Sequence, residues 1–308
     1  MSRPLKVGLQ LPEVEREVRW PELRQMAISA EQDGFDSLWV GDHLLYKPAD
    51  RPPIGPWEAW STLAALAEAT ERVEIGPLVA STSFHSPAML AKLAATVDEI
   101  SNGRLILGLG AGWNEPDYTA YGFPYDRRAS RFEEAFTIIR TLLREGYIDF
   151  SGTYYQIRDC TLVPRGPRPN GPPLMLGSMG ERMLNFAAPH IDAWNAWHDW
   201  FDNTPEGLAP LNATVDEALR ASERDPSEVT RTATVFVQLS GGQGRLSGGE
   251  FARPTRPLKG SADQIAEGLR AYAAIGISHL QLVLDPITVE AIEELAPVLE
   301  LLDRTSVH

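Results

Sequence analysis

The chain has 308 residues, a net charge of −14 and one cysteine. The negative charge argues against nucleic acid and anionic membrane surfaces as partners, because phosphate binding needs clustered lysine and arginine. The single cysteine, Cys160, leaves no internal disulfide and is typical of a reducing compartment. The sequence opens without a signal-like segment, and no apolar run is long enough to span a bilayer, so we expect a soluble, cytoplasmic protein.

Apolar runs typical of buried strands alternate with helical patterns along the chain. The predicted strands lie at 5–11, 37–40, 73–79, 104–110, 174–177, 192–197, 232–239 and 279–284. The predicted helices follow Pro21, Pro87, Ser130 and Ser261 or lie at 57–71, 180–189, 206–224 and 288–303. Ser130 with Glu133, and Ser261 with Gln264, each predict a capping box.

Eight strands alternating with eight helices predict a TIM (β/α)8 barrel that covers residues 1–308 as a single domain. A doubly wound sheet is the competing architecture, and the strand count favours the barrel. Two irregular insertions interrupt the alternation. The first, near 147–173, is expected to hold a small hairpin. The second, near 240–260, follows the seventh strand on the face where barrel active sites lie.

The fourth strand ends in glycines at 108, 110 and 112, which suggests a dinucleotide-binding loop. That fingerprint needs a third glycine at 113 and a helix directly after it. Residue 113 is Trp, so the fingerprint fails. In a barrel, the same glycines form an edge of the active-site mouth where a flat ligand can approach the backbone.

Asp42 and His43 end the second strand, where barrel enzymes place catalytic groups. The alternative is a hydrogen-bonded pair that fixes the loop. Gly177, Ser178 and Gly180 precede a helix whose N-terminus suits a phosphate, and the alternative there is simple capping by Ser178.

Tryptophans lie near several predicted strand ends and suit a flat ligand, although Trp39 is expected in the core. Those expected to line a substrate pocket are Trp57, Trp113 and Trp197. No metal-binding spacing of histidines occurs, so we expect no metal, and a metal-dependent hydrolase is a minor alternative. A serine nucleophile has no G-x-S-x-G motif to support it.

Five segments together resemble the bacterial-luciferase-like flavin and deazaflavin oxidoreductases. They are DGFDSLWVGDH, FHSPAMLAKLAATVDEISNGRLILGLGAGWNEPDYTAYGFP, SGTYYQIRD, PPLMLGSMGERMLNFAAPHIDAWNAW and KGSADQIAEGLRAYAAIGISHLQL. The likeness runs in order through nearly the whole chain. It implies a TIM barrel that holds reduced FMN or coenzyme F-420 at the carboxyl-terminal mouth.

The resemblance also implies a role for particular residues. Asp42 and His43 would lie beside the coenzyme ring, with Leu78, Val79 and Ser81 under it, in a segment that often contains a non-proline cis peptide. The expected contacts to the ribityl chain are Gly110, Ala111, Gly112 and Asn114. The expected contacts to the phosphate are Gly177, Ser178, Met179 and Gly180.

The segments ILGLGAGWNEPDYTAYGFP and DAWNAW resemble the F-420-dependent members of the family more than the FMN-dependent ones. This resemblance implies hydride transfer with His43 as proton carrier. In its sugar-phosphate dehydrogenases a glutamate directly follows a glycine of this loop, whereas Trp113 stands there here. Glu115, two residues on, is therefore a candidate acid or base.

The alternatives are a reduced-FMN-dependent monooxygenase using O₂ and a non-catalytic flavin-binding barrel. The resemblance implies a small-molecule substrate, a homodimer and a separate reductase that supplies reduced coenzyme.

Overall fold

Nine parallel strands form the central sheet of the computed structural model, which describes residues 5–48, 52–244 and 255–304. They are β1 (Lys6–Gln10), β2 (Ser37–Val40), β3 (Glu74–Pro77), β4 (Ala80–Ser81), β5 (Leu107–Gly110), β8 (Leu174–Leu176), β9 (Ala193–Ala196), β10 (Thr230–Gln238) and β11 (His279–Asp285). A separate antiparallel hairpin is formed by β6 (Tyr147–Ser151) and β7 (Gln156–Thr161).

The order of the sheet is β3-β2-β1-β11-β10-β9-β8-β5-β4. Its two end strands, β3 and β4, are consecutive pieces of one interrupted strand, and β4 pairs with β5. A parallel bridge between Ile75 and Leu105 joins β3 to the chain just before β5. The sheet therefore closes on itself with eight strand positions, which confirms the predicted TIM barrel.

Helices follow the strands and cover the outside of the barrel. They are α1 (Trp20–Gln32), α2 (Ala59–Ala69), α3 (Pro87–Ile100), α4 (Glu115–Tyr121), α5 (Arg128–Glu145), α6 (Glu181–Ala187), α7 (Pro205–Ala221), α8 (Ala262–Ala274), α9 (Val289–Glu294) and α10 (Ala296–Arg304). None of these helices is long and apolar enough to cross a membrane.

Most predicted elements lie within a few residues of the observed ones, and the hairpin expected in 147–173 is confirmed. The predicted third strand is broken into β3 and β4, and the helix expected at 288–303 is two helices, α9 and α10. Helix α4 was not predicted. In the insertion near 240–260, residues 245–254 lie outside the described part, and Leu258 pairs with β10 through Gln238.

One of the two predicted capping boxes is wrong. Ser261 and Gln264 form theirs at the start of α8, but α5 begins at Arg128, two residues before Ser130. Both residues of the failed box contact Arg182 instead. Its guanidinium donates to Ser130 Oγ at 2.9 Å and to both carboxylate oxygens of Glu133 at 2.7 Å.

Trp39 is fully buried, as expected, in a cluster with Leu78, Met175 and Ala193. A Cβ on Gly8 would lie 2.8 Å from its Nε1 atom, and one on Gly76 would lie 2.7 Å from its six-membered ring. Strands β1 and β3 therefore carry glycine where they face this indole. The Nε1–H donates to Ser37 Oγ at 2.7 Å, and that hydroxyl lies 2.7 Å from His279 Nε2.

Because Ser37 accepts from Trp39, its own proton is free to bond an unprotonated His279 Nε2. Burial, and to a lesser extent the charge of Lys6, lowers the pKa of His279 to about 3. In the unfolded chain the same histidine binds a proton below about pH 6.5. Stability from this residue is therefore present above that pH and is lost as the pH falls towards the folded-state pKa.

We predict that replacing His279 by Asn makes the free energy of unfolding depend less on pH below about pH 6.5. Between about pH 6.5 and 5, wild type should lose roughly 2 kcal/mol of unfolding free energy through this group, and the variant should not. Urea unfolding at several pH values measures both slopes. Parallel slopes for the two proteins would contradict this assignment, whatever the variant's absolute stability.

Candidate active site

The carboxyl ends of neighbouring strands place a cluster of ionisable groups at one mouth of the barrel. Glu13 follows β1, Asp42 and His43 follow β2, and Asp117 lies on α4, which comes after β5. All three carboxylate residues are at least 95% buried. His43 lies among them, so the site consists of one imidazole surrounded by acidic groups.

Asp117 is the direct partner of His43. Its Oδ2 atom lies 2.7 Å from His43 Nδ1, and its Oδ1 atom accepts backbone N–H bonds from Leu44 at 3.0 Å and Leu45 at 2.6 Å. One carboxylate therefore orients the imidazole and also fixes the loop that carries it.

Glu13 approaches the opposite nitrogen of the ring, with Oε1 3.8 Å from His43 Nε2. Its carboxylate accepts hydrogen bonds from Tyr46 Oη at 2.5 Å and Gln10 Nε2 at 2.9 Å. Gly41 makes room for it, because a Cβ there would lie 2.5 Å from the Glu13 carboxyl carbon. The glycine directly before Asp42 and His43 is thus required by packing against Glu13.

The acidic surroundings decide the charge of the imidazole. Burial by itself would lower the pKa of His43, but the hydrogen bond to Asp117 and the charges of Glu13, Asp117 and Asp42 outweigh it, and the pKa is raised. The bond from His43 in turn contributes to a lowered pKa for Asp117, against the opposing effect of burial. The two shifts agree in favouring an imidazolium paired with a carboxylate.

Asp42 and His43 do not form the mutual pair considered as an alternative. Asp42 Oδ2 accepts the backbone N–H of Ser81 at 2.8 Å and lies 3.7 Å from His85 Nε2. It therefore ties the end of β2 to β4, while His43 is held by Asp117. The two neighbours in sequence thus have different partners.

The peptide bond between Leu78 and Val79 is cis, as the resemblance implies. The Val79 side chain packs against Gly108, Gly110 and Gly177, where an added Cβ would lie 2.8 Å from a Val79 methyl group. The glycines of this edge were expected to admit a flat ligand. The structure shows that they make room for Val79, which lies on the floor of the mouth with Trp39 and Met175.

Two hydrogen bonds, one from α4 and one to the loop after β2, hold the loop after β5. Ala111 O accepts the Tyr118 hydroxyl at 2.7 Å, and Asn114 Nδ2 donates to Leu45 O at 2.9 Å. Gly112 has φ +75°, and a Cβ there would lie 2.0 Å from Tyr118 Oη and 2.3 Å from Ser81 Oγ. The loop conformation therefore requires glycine at this position, and ribityl contacts by Gly110, Ala111, Gly112 and Asn114 stay a prediction.

The turn Gly177-Ser178-Met179-Gly180 connects β8 to α6. Ser178 O accepts the indole N–H of Trp194 at 2.7 Å, and Ser178 Oγ accepts the backbone N–H of Gly180 at 3.2 Å. Met179 is exposed. Capping by Ser178 reaches only Gly180, so the phosphate role of this turn stays a prediction.

The three candidate pocket tryptophans occupy different places. Trp113 is exposed and meets His43 edge-on, with ring centroids 5.3 Å apart. Trp197 packs against the same buried cluster as Val79. Trp57 lies apart from both, in a cavity of about 250 Å³ that reaches Glu13 between α1 and α2, and its indole donates to Val18 O at 2.7 Å.

Glu115 lies in the first turn of α4 with its side chain exposed. Asp117, on the same helix, is fully buried and contacts His43. The geometry thus places Asp117, rather than Glu115, against the imidazole, and a role for Glu115 stays a prediction.

Two buried polar atoms at the mouth have no hydrogen-bond partner among the described residues. They are Gln10 Oε1 at the end of β1 and His85 Nε2 after β4. Such atoms are nearly always paired, so a polar ligand at this mouth fits the residues present. Within the described ranges no three His, Cys, Asp or Glu residues are grouped as a metal ion would require.

Comparison with known proteins gives the family. The model of the luciferase-like monooxygenase family matches residues 7–242. The chain belongs to this family. A relative from Intrasporangium calvum, named F-420-dependent glucose-6-phosphate dehydrogenase, is 38% identical over 71% of this chain and 71% of its own length.

Other luciferase-like proteins extend the comparison. Pyrimidine monooxygenase RutA from Cronobacter sakazakii is 32% identical over 54% of this chain and 50% of its own length. A solved structure of an F-420-dependent secondary alcohol dehydrogenase with an F-420–acetone adduct has a TM-score of 0.81, with 20% identity over 96% of this chain and 98% of that one. These likenesses agree with the resemblance found in the sequence and with the barrel.

Sequence reasoning missed Glu13, Tyr46 and Asp117. Glu13 lies three residues past β1, and a carboxylate just after a barrel strand is a signal that could have been used. The sequence does not distinguish Asp117 from Glu115, because both are acidic residues in the first turn of α4. Only the packing of α4 distinguishes the buried acid from the exposed one.

We predict that Gly112→Ala destabilises the fold much more than Gly122→Ala. Both glycines have a left-handed backbone, with φ +75° and +78°, but an added Cβ meets nothing within 4 Å at Gly122. Strain alone should cost about 1 to 2 kcal/mol, and the clash with Tyr118 and Ser81 should raise the Gly112 cost to at least about 3 kcal/mol. Chemical unfolding compares the two, and equal losses would contradict the crowding.

Proposed function

We propose that this chain is an F-420-dependent oxidoreductase that transfers a hydride between the coenzyme and an organic substrate, with His43 carrying the proton. The observation that carries the proposal is the His43 imidazole, 16% exposed and held by Asp117, at the mouth of a luciferase-like barrel. The similarity to F-420-dependent dehydrogenases supports the coenzyme. When bound, F-420 supplies a ring carbon that gives or accepts hydride.

The protein's contribution is to donate or accept the proton that accompanies each hydride. The raised pKa of His43 favours the imidazolium, so the resting residue is prepared to donate its proton. This state suits reduction of the substrate by reduced coenzyme. Because Asp117 holds Nδ1, the donating atom is Nε2, on the side of Glu13. In the reverse reaction the same nitrogen accepts a proton, and the nearby carboxylates stabilise the resulting charge.

The surrounding residues define a partly apolar reaction site. Trp113 covers the edge of His43, and Trp197 and Val79 form the floor. We propose that Trp113 and Trp197, with Trp57 at the adjoining cavity, contact the substrate. A homodimer and a separate reductase are also part of the proposal, on the family resemblance alone.

A reduced-FMN-dependent monooxygenase is the second candidate, and the similarity to RutA favours it. The two candidate functions require different coenzymes, so a measurement of coenzyme binding distinguishes them. We expect equilibrium titration to give selective, tight binding of F-420 over FMN, each tested oxidised and reduced. Selective binding of FMN would replace the proposal by the second candidate, and no binding of either would remove both.

We predict that His43→Ala lowers turnover by about 10² to 10⁴ while coenzyme affinity changes by only a few fold. The affinity is the control, because it shows that the mouth remains intact. Steady-state kinetics and a binding titration give the two numbers. Turnover close to wild type would remove His43 from proton transfer.

We predict that Asp117→Asn lowers turnover by about tenfold or more and shifts its pH profile. Loss of the carboxylate removes a bond and a charge that raise the pKa of His43, so that pKa should fall. Activity in the substrate-reducing direction should then decline at a lower pH than in wild type, because the imidazolium is lost sooner.

Glu115→Gln is the comparison for this experiment, since Glu115 is exposed on the same helix. If Glu115 has no contact with the reaction, this variant keeps the wild-type profile. A large loss in Glu115→Gln together with an unchanged profile in Asp117→Asn would return the acid–base role to Glu115.

A further inference from the structure

A cavity of about 460 Å³ lies between the N-terminal ends of α5 and α6, apart from the residues around His43. Residues 125–130 line one side and Arg182 lines the other. The mechanism proposed above makes no use of this cavity.

Its lining is basic, although the chain as a whole carries −14 charges. Arg127, Arg128 and Arg182 line the cavity, with Asp126 as the acidic lining residue. Asp126 is paired with a fourth arginine, Arg131, and Glu133 pairs with Arg182. The lining itself holds three arginines and one aspartate, so it carries a net positive charge in an acidic protein.

The three lining arginines differ in their contacts and in their exposure. The Arg128 guanidinium stacks on the Tyr125 ring, 3.8 Å from its centroid, which holds the cation at the cavity wall. Arg127 is exposed and precedes the helix with φ +56°. Arg182 keeps 60% of its side chain exposed despite its bond to Glu133. All three can therefore reach an anion in the cavity.

The start of α5 adds to this potential. The helix has 18 residues, no acidic residue in its first turn and no side-chain cap. Acidic residues normally stabilise a helix at this end, where the dipole is positive. Here arginines occupy the end instead, so the helix N-terminus and the guanidinium groups act in the same direction.

The cavity adjoins the turn expected to hold the coenzyme phosphate. Arg182 follows that turn by two residues, in the first turn of α6, and its guanidinium donates to Ser130 of α5 at 2.9 Å. A ligand whose phosphate lies at Gly177–Gly180 would therefore direct any further anionic extension past Arg182 into the cavity.

We propose that this arginine-lined cavity binds an anionic chain that extends beyond the phosphate of the coenzyme. F-420 carries such a chain, built of glutamates that each add a carboxylate, whereas FMN ends at its phosphate. The inference rests on the proposed function and deepens it, because it assigns a site to the part of the coenzyme that takes no part in hydride transfer.

The experiment measures equilibrium binding of three forms of the deazaflavin. These are the ring with its ribityl chain but no phosphate, the phosphorylated form without glutamates, and the form with several glutamates. We expect the form with several glutamates to bind about tenfold more tightly than the form without them at low salt. The advantage should shrink at high salt, because exposed ion pairs are screened.

Arg127→Gln and the double variant Arg127→Gln with Arg182→Gln should reduce the advantage of the glutamate chain and leave binding of the unphosphorylated ring unchanged. Arg304→Gln, on α10, is the control for the single variant, with the same change in net charge at an exposed arginine away from the cavity. It should retain the full advantage. The single variant Arg127→Gln leaves the ion pair between Arg182 and Glu133 intact, so its effect on binding does not depend on that pair.

Equal affinity for the forms with and without glutamates, or an undiminished advantage in the Arg127 variants, would overturn the cavity assignment and leave the proposed function intact. Failure of all three forms to bind would instead overturn the proposed function. Circular dichroism on each variant confirms that the compared proteins are folded.

Discussion

The contact between Asp117 and His43 is the interaction on which the site depends. It joins residues 74 positions apart, and the same carboxylate also accepts two backbone N–H bonds from the loop that carries the histidine. Although burial opposes both shifts, the donors to this carboxylate lower the pKa of Asp117, and its charge and hydrogen bond raise the pKa of His43. Asp117 therefore contributes both to the geometry of the loop and to the proton affinity of His43.

The floor of the mouth is built by matching a large residue with small ones. Val79 crowds three surrounding glycines, joined at Gly108 by Pro77 O, and Trp39 crowds Gly8 and Gly76 together with Ser37 Oγ and Ile106 O. Gly108 and Gly110 of β5, which resemble part of a nucleotide-binding loop, are therefore explained by packing inside the barrel. Val79 and Trp197 pack on the buried cluster that contains Trp39, so this part of the barrel has an apolar lining.

The strands were predictable because each is a short apolar run covered on both faces, a pattern that local sequence carries in full. The site was predictable at Asp42 and His43, since both directly follow a strand. Asp117 was not, because its burial depends on how α4 packs against a loop far away in sequence. The capping box at Ser130 failed for a similar reason. Arg182, from another helix, engages both Ser130 and Glu133.

Net charge is a poor guide to partners once the fold distributes the charges. The value of −14 argues against a polyanionic partner, yet the N-terminal ends of α5 and α6 place three arginines around one cavity. The carboxylates of Glu13, Asp42 and Asp117 lie about His43. The two regions are suited to different parts of one ligand. An acidic site stabilises a proton at the reacting end, and a basic site attracts the charged end. A coenzyme with a neutral ring and an anionic chain would be oriented by this separation before any specific contact forms.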